Sequence, residues 1–266
     1  SQGNYNYTFL APLEAGTHEI KVNLTNENGI VGENSTLFIS RIAIREQKIV
    51  SVKTGVENYL DIDDELINIS ALVYRNKDNP IDKVWVNITL PNSTVKTYYL
   101  DNSTEKTETQ IWYKVLNISE EFDNLLGNYT VKFYANSTLI NGEVITQEIP
   151  EPEAWFVVQN ISVSIDLDAT IVNPEEPIEI SGKAILLPDN LNITNINVSI
   201  WINEVFNQNC STNSSGEYSC VLIAPLEAGT YSVKVNLTNE NGIYGENQTT
   251  FISRIAIRKQ KAVSVK

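Results

Sequence analysis

The stretch GTYSVKVNLT, Gly229 to Thr238, alternates without a break: Tyr231, Val233, Val235 and Leu237 share one phase, and Ser232, Lys234 and Asn236 share the other. A period of two is what a strand with one dry and one wet face requires. The same grammar recurs in GNYTVKFYANST, with Tyr129, Val131 and Phe133 in the apolar phase, and in GTHEIKVNLT, with His18, Ile20, Val22 and Leu24. No segment holds an apolar stripe at helical spacing for three turns, so helices are not expected. Working outward, ELINISALVY and EPIEISGKAI read as second strands, and KVWVNITL and INVSIWIN as third strands. Turn clusters such as RNKDNP and LPDNLN separate them. Short strands with this punctuation and no helical crossover predict an all-β chain of antiparallel sandwiches.

A second observation sets the scale. Residues 11–53 return as residues 224–266, and of these 43 aligned positions eight differ: 18, 19, 20, 31, 35, 37, 46 and 49. The offset of 213 residues (224 − 11) is too long for a solenoid unit and suits a pair of sandwiches of about 100 residues each.

The segment from NPEEPIEISGKAI through TNSSGEYSC to EAGTYSVKVNLTNENG resembles the immunoglobulin-like repeat domains of prokaryotic surface proteins, especially archaeal cell-surface glycoproteins of surface-layer, adhesin or filament type. The matching pieces are the turn from Asn173 to Glu176, the SSGEYS hairpin and the strand opening at Gly229. Tyr231 and Tyr129 stand where such domains carry a corner tyrosine, and His18 departs from that pattern. The resemblance implies tandem immunoglobulin-like β-sandwiches: residues 1–46 as the C-terminal half of one domain, duplicating 214–259, then 47–158 and 159–254 as whole domains. Residues 255–266 then form a linker and the first strand of a following domain. A window into a longer tandem array accounts for this division. Alternatively, KAVSVK (261–266) adds as a strand to a neighbouring molecule.

Asparagine occurs 32 times, and in a chain about 15% Ser and Thr random placement gives about five Asn-x-Ser/Thr motifs. Seventeen are present: Asn6, Asn23, Asn34, Asn68, Asn87, Asn92, Asn102, Asn117, Asn128, Asn136, Asn160, Asn192, Asn197, Asn209, Asn213, Asn236 and Asn247. The motif has meaning only to a glycosylation machinery outside the cytoplasm, so covalent N-glycans are expected. Asn23, Asn68, Asn87, Asn128, Asn136, Asn197 and Asn236 occupy the polar phase of their strands.

The chain has two cysteines, Cys210 and Cys220, and no methionine. Pairing 213 with 217 leaves Ser214-Ser215-Gly216 as a hairpin loop and sets Cys210 opposite Cys220. A disulfide there implies an oxidising compartment; two free core thiols are the alternative.

With 19 basic and 33 acidic side chains, the net charge of −14 argues against a nucleic-acid partner. No run of about 18 apolar residues offers a membrane span. The joints FISRIAIREQKIVSVK (38–53) and FISRIAIRKQKAVSVK (251–266) hold nine of the 19 Lys and Arg and contain neither Gly nor Pro, which predicts stiff, basic connections that either contact an acidic body or stand as solvated strand ends. In IPEPEAWFVVQN, Trp155 and Phe156 are expected to seal an interdomain seam, with binding of a partner as the alternative. Trp85 and Trp201 share the outward phase of Asn87 and Asn197. Burial at a sheet edge is the expectation for them, contact with a glycan or a neighbour the alternative.

DIDDE (61–65) and DLD (166–168) offer oxygen ligands for calcium, but no twelve-residue calcium-loop spacing is present. A solvated turn is the ordinary explanation, so no metal and no cofactor are predicted. One histidine, no His/Cys ligand set and no glycine-rich phosphate loop give no basis for an enzyme. The expectation is a structural component of an extracellular, N-glycosylated filament, pilus or surface layer whose partners are further copies of itself. The alternative is a cell-surface adhesin stalk presenting a binding tip.

Overall fold

In the computed structural model, residues 5–9, 16–40, 43–63, 66–74, 81–102, 109–138, 142, 144–148 and 154–254 are described. They form two units. The first takes in Ser1–Asn58, Glu65–Asp123 and Asn128–Phe156, and the second Tyr59–Asp64, Asn124–Gly127 and Val157–Lys266.

The first unit opens with a hairpin, β1 (Gly16–Thr25) and β2 (Val31–Ser40), which is a two-stranded sheet of its own. Its strands pair from Thr25 opposite Val31 to Gly16 opposite Ser40. Strand β3 (Ala43–Ser51) follows at once; β4 (Tyr59–Asp61) comes next in the chain but belongs to the second unit, and the first continues with β5 (Leu66–Tyr74), β6 (Ile81–Thr89), β7 (Val95–Tyr99), β8 (Asp101–Asn102) and β9 (Thr109–Asn117). A one-turn helix, α1 (Ile118–Phe122), precedes β10 (Gly127–Thr138) and β11 (Val144–Glu148). One layer has the order β3-β5-β9-β8, and in the other β10 is flanked by β6 and β11, with β7 beyond β6. The joint at 38–53 is thus largely strand: β3 pairs along its length with β5, and Ile49 is buried in the core.

Helix α1 went unseen in the sequence because one turn cannot show a helical period. It is set by local chemistry: the Asn117 side chain accepts from the amides of Ser119 and Glu120, and Glu120 and Glu121 face the positive helix end. Its Phe122 joins Tyr129 and Phe156 in an aromatic core, with Tyr129 stacked on Phe156 at 4.5 Å. Phe156 is therefore a core residue of the first unit, not a joint residue. Alternation runs past the prolines, so chain order alone could not assign it. Trp155, next in register, is exposed.

The second unit is built from β12 (Ala154–Val163), β13 (Asp166–Leu167), β14 (Ile171–Val172), β15 (Pro177–Leu187), β16 (Leu191–Asn192), β17 (Asn197–Ile202), β18 (Val205–Ser211), β19 (Glu217–Ile223), β20 (Gly229–Thr238) and β21 (Tyr244–Ser253). Strand β15 carries β12, β13, β16 and β19 on its edges, while the facing sheet runs β14-β21-β20-β17-β18 with β14 parallel to β21. These two layers, with their crossed connections, are the immunoglobulin-like arrangement. Between them lie Ile161, Ile178, Ile180, Val198, Ile200, Val233, Val235 and Phe251, all buried. The corner tyrosine is in place: the Tyr231 hydroxyl donates to the Glu227 carbonyl at 2.8 Å.

A second tyrosine ties together, from inside, the two edges of the layer built on β15. Tyr218 donates to the Ser164 carbonyl at 2.6 Å, passing over Gly182, where a Cβ would lie 2.1 Å from that same oxygen. Burial raises the Tyr218 phenol above its ordinary value, and the Asp166 carboxylate adds to the shift. Burial, then Asp123, pushes Tyr129 up to about 12. A phenol whose pKa is raised on folding stabilises the folded state below its unfolded value near 10, and that contribution is lost as pH rises through the folded value. Unfolding is therefore expected to set in above pH 10 and to coincide with the late rise in tyrosinate absorbance. Tyrosines that ionise fully near pH 10 with the fold intact would contradict this assignment.

Candidate glycan-bearing surface

The seventeen motif asparagines all lie in described segments, and none is buried. Asn6, Asn23, Asn34, Asn92, Asn102, Asn128, Asn192, Asn197, Asn209, Asn213 and Asn247 are exposed; Asn68, Asn87, Asn117, Asn136, Asn160 and Asn236 are half-buried. Strand phase explains Asn68, Asn87, Asn136 and Asn236, because an outward asparagine in the middle of a sheet is flanked by neighbours on both sides.

Several of these side chains are oriented by their carbonyl oxygen. Thr97 Oγ1 donates to Asn87 Oδ1 at 2.8 Å, Ser199 Oγ to Asn209 Oδ1 at 2.9 Å and Ser211 Oγ to Asn197 Oδ1 at 3.1 Å. Such bonds occupy the oxygen and leave the nitrogen, the atom to which an N-glycan would attach, outside them. Two asparagines also organise backbone: Asn117 caps α1, and Asn213 Oδ1 accepts the amides of Ser215 and Glu217. Across one face of the second unit, Asn209, Ser199, Asn236 and Glu246 stand in a single cross-strand row. Asn209 and Asn236 are thus two strands, or about 10 Å, apart.

Cys210 and Cys220 are joined, with Cα atoms 6.1 Å apart. The 213–217 turn forms as read from the sequence: Asn213 N–H donates to Glu217 O, and Gly216 has φ +74°. The flanking strands do not continue as one hairpin ladder. β18 pairs with β17 and β19 pairs with β15, so the disulfide ties one sheet to the other. Partners remote in sequence win over the near one, which a hairpin reading cannot foresee.

Trp85 and Trp201 are not at buried edges. Each stays half-buried on an outer face: Trp85 between Tyr134 and Tyr99, with ring centroids 5.3 and 6.3 Å away, and Trp201 against Phe206 at 5.5 Å with the Lys234 ammonium 6.0 Å over its ring. The core tryptophan is Trp112, on β9, which the sequence reading did not single out.

The acidic runs have ordinary employment. Asp61 is buried, its carboxylate accepting the amides of Asp63 and Tyr244, and Asp168 accepts the amide of Glu179. No group of three or more His, Cys, Asp or Glu side chains suited to a metal is found among the described residues. Asp64 and Glu65, like the second joint from 255 onward, lie outside the described residues. Lys48 of the first joint pairs with Glu57 at 3.8 Å, both ends well exposed, so the pair is worth little. His18 stacks on Phe38 at 5.2 Å.

The duplicated hairpins give the sharpest contrast. Both copies make the same turn: Asn26 Oδ1 accepts the amides of Asn28 and Ile30, and Asn239 Oδ1 those of Asn241 and Ile243. Their registers match residue for residue. Their surroundings do not. Val22, Leu24 and Ile30 are 49%, 44% and 67% exposed, while Val235, Leu237 and Ile243 are 0%, 3% and 1% exposed. Tyr5, Phe9, Val22 and Phe38 line an open trough of about 1000 Å³ where the second copy has a packed core.

No family model matches the chain. No curated protein matches it either. Among solved structures, it is similar to the adhesin InvE of Yersinia pseudotuberculosis (11% identity, TM-score 0.27, 77% of this chain and 58% of that one). It is also similar to a putative membrane anchored protein of Corynebacterium diphtheriae (11%, 0.32, 93% and 60%). A third likeness is to a 1.5-MDa bacterial ice-binding adhesin (14%, 0.40, 80% and 63%). The chain spans about six-tenths of the length of each of these structures.

Proposed function

We infer that this chain is a structural component of an extracellular, N-glycosylated surface protein built from tandem immunoglobulin-like sandwiches, assembling with further copies as a filament or surface layer. The observation that carries the reading is the excess of sequons, seventeen against about five, on asparagines of which none is buried. Attachment joins the amide nitrogen to the anomeric carbon of an activated glycosyl phosphate; the phosphate leaves and the amide gives up one proton. A sugar coat on the outer sheet faces shields strand edges from unwanted pairing.

The open face of β1 and β2 supports the tandem arrangement. Its duplicate is covered by β12, β15 and β19, and Gly245 lies against Ile161 so closely that a Cβ there would be 2.7 Å from the Ile161 Cβ. The matching Gly32 has nothing within 4 Å. A segment with the strand pattern of residues 157–223 supplies the missing layer.

Glycopeptide mass spectrometry of the chain from its natural host tests the reading, with sugar expected on most of the seventeen sites. Bare amides at most of them would overturn it. Negative-stain microscopy of the same material separates regular fibres or lattices from the isolated rods of an adhesin stalk.

A further inference from the structure

Of the seventeen sequons, only two have an aromatic residue two positions before the asparagine: Trp85-Val86-Asn87-Ile88-Thr89 and Tyr134-Ala135-Asn136-Ser137-Thr138. In a strand that spacing puts ring and asparagine on the same face, one pleat apart. The two motifs lie on adjacent strands. β6 and β10 run antiparallel with Trp85 directly opposite Tyr134, so Asn87 leads away from the ring pair on one side and Asn136 on the other, facing Lys132 and Lys83 respectively. On the far side of β6, Tyr99 stands opposite Trp85. Three rings therefore cross the outer face of the first unit in one row, Tyr99, Trp85, Tyr134, with a sequon at each end of the central pair.

The rings leave room. Trp85 and Tyr134 are parallel to within 8° at a centroid distance of 5.3 Å, which is an offset stack that covers only part of each face. Both residues are half-exposed, and Tyr99 is 59% exposed. Asn87 Oδ1 accepts from Thr97 across the outer face, and Asn136 Oδ1 is buried without a hydrogen-bond partner among the described residues. Neither arrangement engages the amide nitrogen.

We propose that the row Tyr99-Trp85-Tyr134 is a seat for carbohydrate carried by this chain itself, with the protein-proximal sugars of glycans on Asn87 and Asn136 lying against Trp85 and Tyr134. The C–H face of a pyranose is apolar and weakly positive, and an aromatic face is apolar and carries the negative lobe of its quadrupole. A sugar held one pleat away by a covalent bond gives up little freedom to make that contact, because tethering has already confined it. The aromatic row thereby loses its contact with water, which accounts for three rings on a face whose central strands otherwise carry Lys, Thr and Asn, with Val95, Val144 and Glu148 on the flanking strands. The inference rests on the glycosylation reading above.

The test uses the full chain in two forms, from its glycosylating host and from an oxidising compartment of a host without the transferase. Glycopeptide mass spectrometry first reports occupancy at Asn87 and Asn136. In the glycosylated chain, the ring protons of the first sugar at both sites are expected upfield of the same sugar at Asn197 or Asn213, shifted by the aromatic rings. The difference in melting temperature between the two forms is expected to fall by half or more in Trp85→Leu with Tyr134→Leu, and to be restored by Trp85→Phe with Tyr134→Phe. Occupied sites with unshifted sugar protons overturn the seat and leave the glycosylation reading standing. Bare asparagines at both positions overturn the seat, and the glycosylation reading falls with it only if most of the seventeen sites are bare. The proton shifts are read on the unaltered chain, so a variant that fails to fold does not remove the test.

Discussion

Gly245→Ala is expected to lower the melting temperature of its unit by about 10–20 °C, whereas Gly32→Ala, the same change in the duplicate hairpin, leaves the profile where it was. At Gly245 a Cβ would sit 2.6 Å from the Ile161 carbonyl oxygen and 2.7 Å from the Ile161 Cβ. Neither is the free end of a side chain, so β12 and β21 must move apart, and overpacking of this kind costs about 2–3 kcal/mol. At Gly32 there is open space, and glycine inside a strand is itself slightly unfavourable, so alanine is neutral or mildly stabilising. Scanning calorimetry of the two variants beside the parent decides it. Equal effects, in either direction, would mean that the two hairpins share one environment and that the open face does not exist in solution.

The second large effect is chemical. Reduction, or Cys210→Ser with Cys220→Ser, is expected to lower one melting transition by about 10–20 °C and leave the other untouched. The crosslink closes a short loop, worth about 2–3 kcal/mol through the unfolded chain. It also joins strands of opposite layers, and Cys210 is itself in the core. The first unit has no cysteine, and Tyr7 occupies the position that matches Cys220, so selectivity is built into the composition. Parallel shifts of both transitions, or none, would remove the disulfide from the account of stability.

Much of the fold was legible because alternation is local. Val131 and Phe133 on β10, and Val233, Val235 and Leu237 on β20, face inward as their phase requires, and the Asn-Glu-Asn-Gly turn forms twice from its own side chain. What phase cannot say is which sheet a strand joins, and there the reading departed from the structure. The strands around the two cysteines separate after one turn. Phase also cannot tell a covered face from a bare one: Val22 and Val235 sit in the same words, and only the second has a layer against it. The outward tryptophans were misplaced for a related reason, since size argued for burial while their position in the strand argued against it. For Trp85 and Trp201 the strand position prevails. The exposure of the motif asparagines was the most readable part, because a polar phase is enough to keep a strand asparagine out of the core.

The matched registers of the two hairpins have a consequence at the level of the gene. A crossover within the shared stretch removes or inserts 213 residues in frame, and every backbone pair of the resulting hairpin finds the partner it had before. The number of sandwiches can then change between generations without any single strand being redesigned, so length becomes a heritable variable that folding does not resist.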